Sequence, residues 1–375
     1  MPRRTQVFGP AYLDRVLRVD RPLVDPRDGP PIDQSVDGRL EFGPGLSLVD
    51  PGGATIEISL PGDWPGPTGR VLLSGRLSDG DGGWHRTVIG ESWRDDLGGM
   101  GAGFAAALGG VLVSALGPDD DPTSRVVADL LAARGVPHRP VRVADRAADW
   151  TLLVTSAGHG DKLPIGFRGC HAAIDSLAPF AEPSCDLLVV AAMPNRLAEG
   201  VLRVPGPAVR FFAPAMRNVL DRDCPIGRFA GTIDVLSCNR REWESLPDRE
   251  EIAWRVSILA ITDGPLGSLV RFTTPIGEPG TVRLPAFPRS RPPRDTNRAG
   301  ESYAATLLAT LLDAGWVGGP ADESLVRHAA ERASVAAALV LDRLDFGFPE
   351  PSRIDAALRL GRVDPESRGG NDDVR

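Results

Sequence analysis

Apolar and polar positions follow two rhythms along this chain. From residue 38 to about residue 95 the apolar runs are short and β-like. L-S-L-V-D, A-T-I-E-I-S-L, G-R-V-L-L-S-G and H-R-T-V-I-G are separated by clusters of Gly, Pro and Asp. This spacing predicts a small sheet inserted into a larger domain. Elsewhere the apolar runs are continuous: Val111–Leu116, Asp186–Ala192, Val209–Ala213, Ile233–Ser237 and Ile258–Thr262 suit strands buried on both faces. Helical periodicity marks 124–135, Glu323–Leu341 and Arg353–Leu360. Strands alternating with helices predict an α/β fold, doubly wound, with a mostly parallel central sheet and helices on both faces. Residues 6–20 read as a first strand, a Gly-Pro turn and a second extended piece carrying Asp14. Trp150–Ser156 and Leu163–Arg168 read as a hairpin around G-H-G-D-K. The main domain is expected over residues 1–362, with 38–95 as its β-rich insertion and 363–375 as a polar, disordered tail.

Composition narrows the function classes. Apolar content of 42% and charged content of 25% over 375 residues are those of a globular protein. A net charge of −8 argues against broad electrostatic binding to nucleic acid or to anionic membranes. No run is long and apolar enough to span a bilayer, and the first residues, M-P-R-R-T-Q-V-F-G, lack the apolar segment of a secretory signal. Cys170, Cys185, Cys224 and Cys238 are scattered without a C-x-x-C, so they read as reduced core residues. The expected compartment is the cytoplasm. Lys162 is the one lysine in the chain and follows Asp161, which excludes the G-K-[ST] of a Walker-type loop. There is no H-E-x-x-H and no G-x-S-x-G.

Two stretches carry candidate chemistry. R-D-T-N-R-A-G-E-S-Y-A-A-T-L-L, from Arg294 to Leu308, reads as an extended approach, a tight turn and a helix. Asp295 and Thr296 are capping types. A helix opening on Ala299, Gly300 and Glu301 aims free N–H groups into the turn, and such an N-terminus attracts phosphate. Glu301 sits where a carboxylate can take a proton from an approaching hydroxyl. An ordinary capped helix with an acidic first turn fits these residues equally well. The second stretch, D-D-L-G-G-M-G-A-G-F-A-A-A-L-G-G, holds Gly98, Gly99 and Gly103 but misses the G-x-G-x-x-G spacing of a dinucleotide fingerprint. It predicts either close helix–sheet packing or a backbone that approaches a ligand.

Taken in order, these blocks resemble the ribokinase (PfkB-type) family of small-molecule kinases. V-F-G-P-A-Y-L-D is similar to the family's first strand and its substrate-facing aspartate. G-G-M-G-A-G-F-A resembles G-G-x-G-x-N-x-A, C-N-R-R-E-W-E resembles N-x-x-E, I-T-D-G-P-L-G-S resembles T-x-G-x-x-G, and D-T-N-R-A-G-E-S-Y resembles D-T-x-G-A-G-D-x-F. The resemblance implies an ATP-dependent kinase acting on a hydroxyl of a sugar, sugar acid or nucleoside, with Mg²⁺. It implies an anion hole at Ala299, Gly300 and Glu301, with Glu301 at the catalytic aspartate's position. Asn239 and Glu242 are implied on the metal, and Thr262, Gly264 and Gly267 in the nucleotide loop. Asp14, Gly98, Gly99 and Gly103 are implied at the acceptor, with Arg168 at a substrate-facing position. Residues 38–95 become a β-lid and a candidate homodimer surface. Three departures stand out: Gly103 replaces asparagine, Arg298 replaces glycine, and Glu301 replaces aspartate. The resemblance leaves Arg298 as a catalytic candidate, either a fixed positive charge beside the transferring phosphoryl group or an occupant of the phosphate site. The three departures also support an alternative reading, a catalytically silent member that binds a sugar or nucleotide as sensor or scaffold.

Overall fold

The computed structural model describes residues 3–19, 39–42, 46–49, 55–59, 70–76, 83–156, 162–167, 170–343 and 346–363. In chain order, β1 (Thr5–Phe8) is followed by β2 (Tyr12–Val19), β3 (Arg39–Phe42), β4 (Leu46–Val49), β5 (Thr55–Ser59), β6 (Arg70–Arg76) and β7 (Gly83–Gly98). Then come α1 (Met100–Leu108), β8 (Val111–Leu116), α2 (Pro122–Ala133), β9 (His138–Arg142), β10 (Trp150–Ser156) and β11 (Lys162–Phe167). The next elements are β12 (Leu187–Ala191), α3 (Asn195–Leu202), β13 (Val209–Ala213), α4 (Met216–Leu220), β14 (Val235–Asn239), α5 (Arg240–Ser245) and α6 (Arg249–Arg255). β15 (Ile258–Thr262), β16 (Ser268–Thr273), β17 (Pro279–Leu284), α7 (Ala299–Asp313), α8 (Glu323–Val340) and α9 (Pro351–Leu360) complete the set. The chain divides into two units: Met1–Ala11, Leu97–Ala148 and Gly169–Arg375 form one, and Tyr12–Asp96 with Asp149–Arg168 the other.

The first unit is built on a nine-stranded sheet in the order β17-β16-β15-β14-β13-β12-β1-β8-β9. Pairing is parallel from β15 to β9, and β16 and β17 add an antiparallel edge. The continuous apolar runs are explained by burial on both faces. Phe8, Leu188, Val190, Phe212, Leu236 and Leu259 pack with Leu197 and Val201 of α3, Trp243 of α5 and Ile252 of α6. The opposite face carries Phe211, whose ring centroid lies 5.1 Å from that of Phe104 on α1. α7 packs on α8, and α8 on β17 and α9. The doubly wound architecture read from the periodicity is therefore present. β9 and β17 were not anticipated. Both are edge strands with mostly exposed or half-buried residues, and such strands lack the apolar run that marks a central one.

The second unit is an eight-stranded sheet in the order β11-β10-β2-β7-β6-β5-β4-β3, a separate sheet that fits a lid. It gathers the short runs expected over residues 38–95 and adds three strands that the sequence pattern assigned to the main domain. β10 and β11 form the expected antiparallel hairpin, and β2 pairs parallel with β10, with Asp14 opposite Thr151. A two-stranded hairpin is marginal alone, and pairing with β2 gives its inner edge hydrogen-bond partners. Arg168 and the expected tail at 364–375 lie outside the described residues. Val363, read as the start of that tail, is 3% exposed and bridges to Arg289, so it belongs to the folded unit. Among the described residues, no helix is long and apolar enough to cross a membrane.

Candidate active site at the carboxyl edge of the nine-stranded sheet

In an open α/β sheet, binding loops gather outside the carboxyl ends of the parallel strands. β14 ends at Asn239 and β15 at Thr262, and these two residues are direct register partners. Asn239 is the N-cap of α5. Its Oδ1 accepts from the Glu242 N–H at 2.8 Å, and Glu242 Oε2 accepts from the Asn239 N–H at 2.9 Å, a complete capping box. Burial pushes the Glu242 carboxyl up to about 7, with the bonds from Asn239 opposing.

Beyond Thr262 the chain makes a single 3₁₀ turn at Gly264–Leu266. The Asp263 N–H donates to the Gly267 carbonyl at 2.8 Å and so closes it. Gly267 has φ 97°, and a Cβ there would lie 2.1 Å from the Leu284 carbonyl oxygen. Glycine is required at that corner by both conformation and space. Arg240 Nε donates to Asp263 Oδ2 at 3.1 Å, which ties the start of α5 to this loop. Arg240 and Asp263 lie inside the two motifs but were not singled out in the sequence.

α7 begins differently. Its N-cap is Arg298, in the left-handed region at φ 64°, and the Arg298 side chain does not cap the first turn. Asp295 does not cap it either. Its carboxylate accepts from the Asn297 N–H at 2.7 Å and so closes the turn ahead of the helix. The N–H groups of Ala299 and Gly300 therefore open a helix of 15 residues with neither capping side chain on them. Tyr303 places this helix start: its hydroxyl donates to Ser268 Oγ at 3.0 Å, and Ser268 is the register partner of Thr262. The open turn thus stands beside the ends of β14 and β15.

The Arg298 guanidinium is turned onto an aromatic segment. Its Cζ lies 4.9 Å from the centroid of the Phe346 ring, and Nη2 donates to the Leu97 carbonyl at 3.2 Å. Arg134 stacks on the same ring at 5.4 Å and donates to the Phe346 carbonyl. Phe346 and Phe348 meet edge to face at 5.9 Å. Neither aromatic was singled out in the sequence; their one signal was F-G-F in a chain that is only 6% aromatic.

The glycine-rich block is explained largely by backbone contact. A Cβ on Gly99 would lie 2.3 Å from the Pro10 carbonyl oxygen, and one on Gly101 would lie 2.4 Å from the Gly9 carbonyl carbon. The Ala102 N–H donates to Pro10 O at 3.2 Å. Gly98 is buried at the end of β7. Gly103, on α1, faces α7: a Cβ there would lie 3.3 Å from Glu301 Oε1. The structure therefore brings Gly103 against Glu301 in the first turn of α7, the turn that also holds Arg298, Ala299 and Gly300. Asn239 and Thr262 pair at the strand ends, with Glu242 in the first turn of α5 and Gly264 and Gly267 in the loop after β15. Asp14 lies on β2, in the second unit.

The fold has known counterparts. The ribokinase of Giardia lamblia is similar with a TM-score of 0.65 and 16% identity, over 96% of this chain and 99% of that one. The chain has the ribokinase fold. A nucleoside kinase of Methanocaldococcus jannaschii, an archaeal member of the ribokinase family, has the same fold at a TM-score of 0.63 and 14% identity, over 96% of this chain and 99% of that one. Among curated proteins, the bifunctional protein HldE of Halorhodospira halophila is 30% identical over 277 residues, 68% of this chain. The match spans about half of that relative, 54% of its length. No protein-family model matches the chain.

Proposed function

We propose that this ribokinase-fold chain is an ATP-dependent kinase that transfers the γ-phosphoryl group to a hydroxyl of a sugar, sugar acid or nucleoside. The observation that carries the reading is the open first turn of α7, with Glu301 in that turn, beside the paired ends of β14 and β15. Phosphoryl transfer needs an aligned hydroxyl, an acceptor for its proton and stabilisation of charge on the moving group. The N–H groups of Ala299, Gly300 and Glu301 supply the third at a helix N-terminus. The Glu301 carboxylate accepts the proton. Thr262, Gly264 and Gly267 shape the nucleotide loop, and Arg240 holds that loop to α5 through Asp263. Asp14, Gly98 and Gly99 are the proposed contacts to the acceptor, and the second sheet is the proposed lid and homodimer surface. The proposed compartment is the cytoplasm.

Asn239 and Glu242 offer adjacent oxygen donors of the hard type that suits Mg²⁺, and a carboxyl held up by burial gains from a nearby cation. Together they would hold the ion through water, where it would neutralise charge on the phosphates.

The test is ADP release from ATP and Mg²⁺ across a panel of sugars, sugar acids and nucleosides. At least one acceptor should raise ADP release well above the rate with ATP alone. Thermal stabilisation by ATP, with no acceptor-dependent ADP across the whole panel, overturns the kinase and leaves the silent binder.

A further inference from the structure

Gly103 lies within α1, and its backbone is helical, so no left-handed conformation calls for glycine there. Glycine inside a helix is unfavourable relative to alanine. Its neighbours Gly99 and Gly101 are held to the Gly9-Pro10 turn by backbone contact, whereas the atoms nearest Gly103 belong to side chains. A Cβ at 103 would lie 3.3 Å from Glu301 Oε1, 3.4 Å from Glu301 Cδ and 3.4 Å from Phe348 Cζ. A single added carbon would already crowd the carboxylate oxygen while touching the ring at ordinary contact distance. An asparagine brings the same Cβ and further atoms beyond it, so it presses harder on a carboxylate that must already give by a few tenths of an ångström.

We propose that Gly103 is the positioning residue for the Glu301 carboxylate, with the missing side chain at 103 providing the space that the longer side chain at 301 fills. The two departures from the ribokinase-type motifs are then one change made in two places, with Phe348 closing the space from the side. Gly103 acts on Glu301 rather than on the acceptor. The catalytic part of this inference rests on the kinase reading above. The contact itself does not.

Two double-variant cycles test it on the full chain. In the first, thermal unfolding without ligand compares the wild type, Gly103→Ala, Glu301→Asp and the double variant. Gly103→Ala should raise Tm less in the wild type than in the Glu301→Asp background, because the shorter carboxylate withdraws from the new methyl group. A difference on the order of 2 °C between the two backgrounds is expected. In the second cycle, Gly103→Asn should lower kcat by about 10²-fold with the KM for ATP little changed, since misplacement of a reacting group costs about that much. Adding Glu301→Asp should recover about 10-fold of that loss. A residue that only supported the fold would not be rescued by shortening its neighbour. Additive Tm effects, or a Gly103→Asn, Glu301→Asp protein no faster than Gly103→Asn alone, overturn the pairing. Coupled Tm values in a protein that turns over no acceptor support the pairing and remove the kinase reading instead. If Gly103→Asn does not fold, the Gly103→Ala variants carry the rate cycle as well, with the same signs.

Discussion

α5 and α7 begin beside the same paired strand ends, yet their first turns are completed in opposite ways. At α5 the protein satisfies itself: Asn239 and Glu242 exchange hydrogen bonds, so donors of that turn already have acceptors. At α7 Asp295, which looks like a cap, is used elsewhere. Asp295 folds onto Asn297, and the N-cap is an arginine in a left-handed conformation whose side chain turns to Phe346 and Leu97. One turn is closed by a capping box, and the other has the form that receives an anion. The same dipole and the same helix-end N–H groups are therefore met differently, according to whether a short polar side chain stands at the N-cap, and the proposed anion site falls at the uncapped one.

The largest effect should come from the open turn. Glu301→Gln keeps the shape of the side chain but cannot accept a proton. The expected loss in kcat is about 10²–10⁴-fold, with the Kd for ATP close to that of the wild type. Steady-state ADP release and ATP titration check it. If the rate survives, Glu301 is not the base, and the contrast between the two turns loses its chemical meaning.

An intermediate effect is expected at the closed turn. The Glu242 carboxyl is held at about 7 against an ordinary 4.5. Between those values the folded protein holds this proton more tightly than the unfolded chain does. The group's contribution to stability is therefore full below about pH 4.5 and is lost as the pH rises through about 7. Mg²⁺ favours the ionised form, so the apparent affinity for Mg²⁺ should rise about 10-fold from about pH 6 to about pH 8, following the ionised fraction of a group titrating near 7. Glu242→Gln should flatten both profiles. Thermal unfolding and Mg²⁺ titration against pH measure them, and an unchanged slope in the variant would exclude Glu242 as their source.

The smallest effect should come from Arg298→Gly. Glycine relieves a left-handed conformation that costs a non-glycine residue about 1 kcal/mol. The change also removes a stacking contact worth about 0.5–1 kcal/mol and a hydrogen bond worth about 1 kcal/mol. These terms nearly cancel, so Tm should move by no more than about 2–4 °C. Because the guanidinium is engaged by Phe346 and Leu97, kcat should change by less than about 10-fold. Calorimetry and ADP release check both. A much larger fall in kcat at constant Tm would mean that the charge acts on the phosphoryl group itself.

Much of this was legible in the chain. A buried parallel strand has to be apolar at every position, so β8, β12, β13 and β15 were located from their runs to within a residue or so. The motif blocks were legible because the turns they form require glycine, as Gly267 shows with its φ of 97° and a carbonyl oxygen 2.1 Å from where a Cβ would be. Edge strands β9 and β17 were not legible, since their residues are mostly exposed or half-buried and they lack the continuous apolar run that marks a strand buried on both faces.

Local patterning alone determined the α/β alternation, the strand end that carries Thr262, and the helix that starts at Ala299, because each depends on neighbours within a few residues. The strand read over Ile233–Ser237 runs instead over Val235–Asn239. The tertiary structure decided what those elements meet. It placed β2 and the β10–β11 hairpin in the second sheet, because hydrogen-bond partners for a strand edge come from anywhere in the chain. It turned Arg298 onto Phe346, a residue 48 positions further along the chain. It also set Gly103 against Glu301, across nearly 200 positions. Packing is a property of surfaces brought together by folding, and no spacing along a sequence encodes which two surfaces will meet.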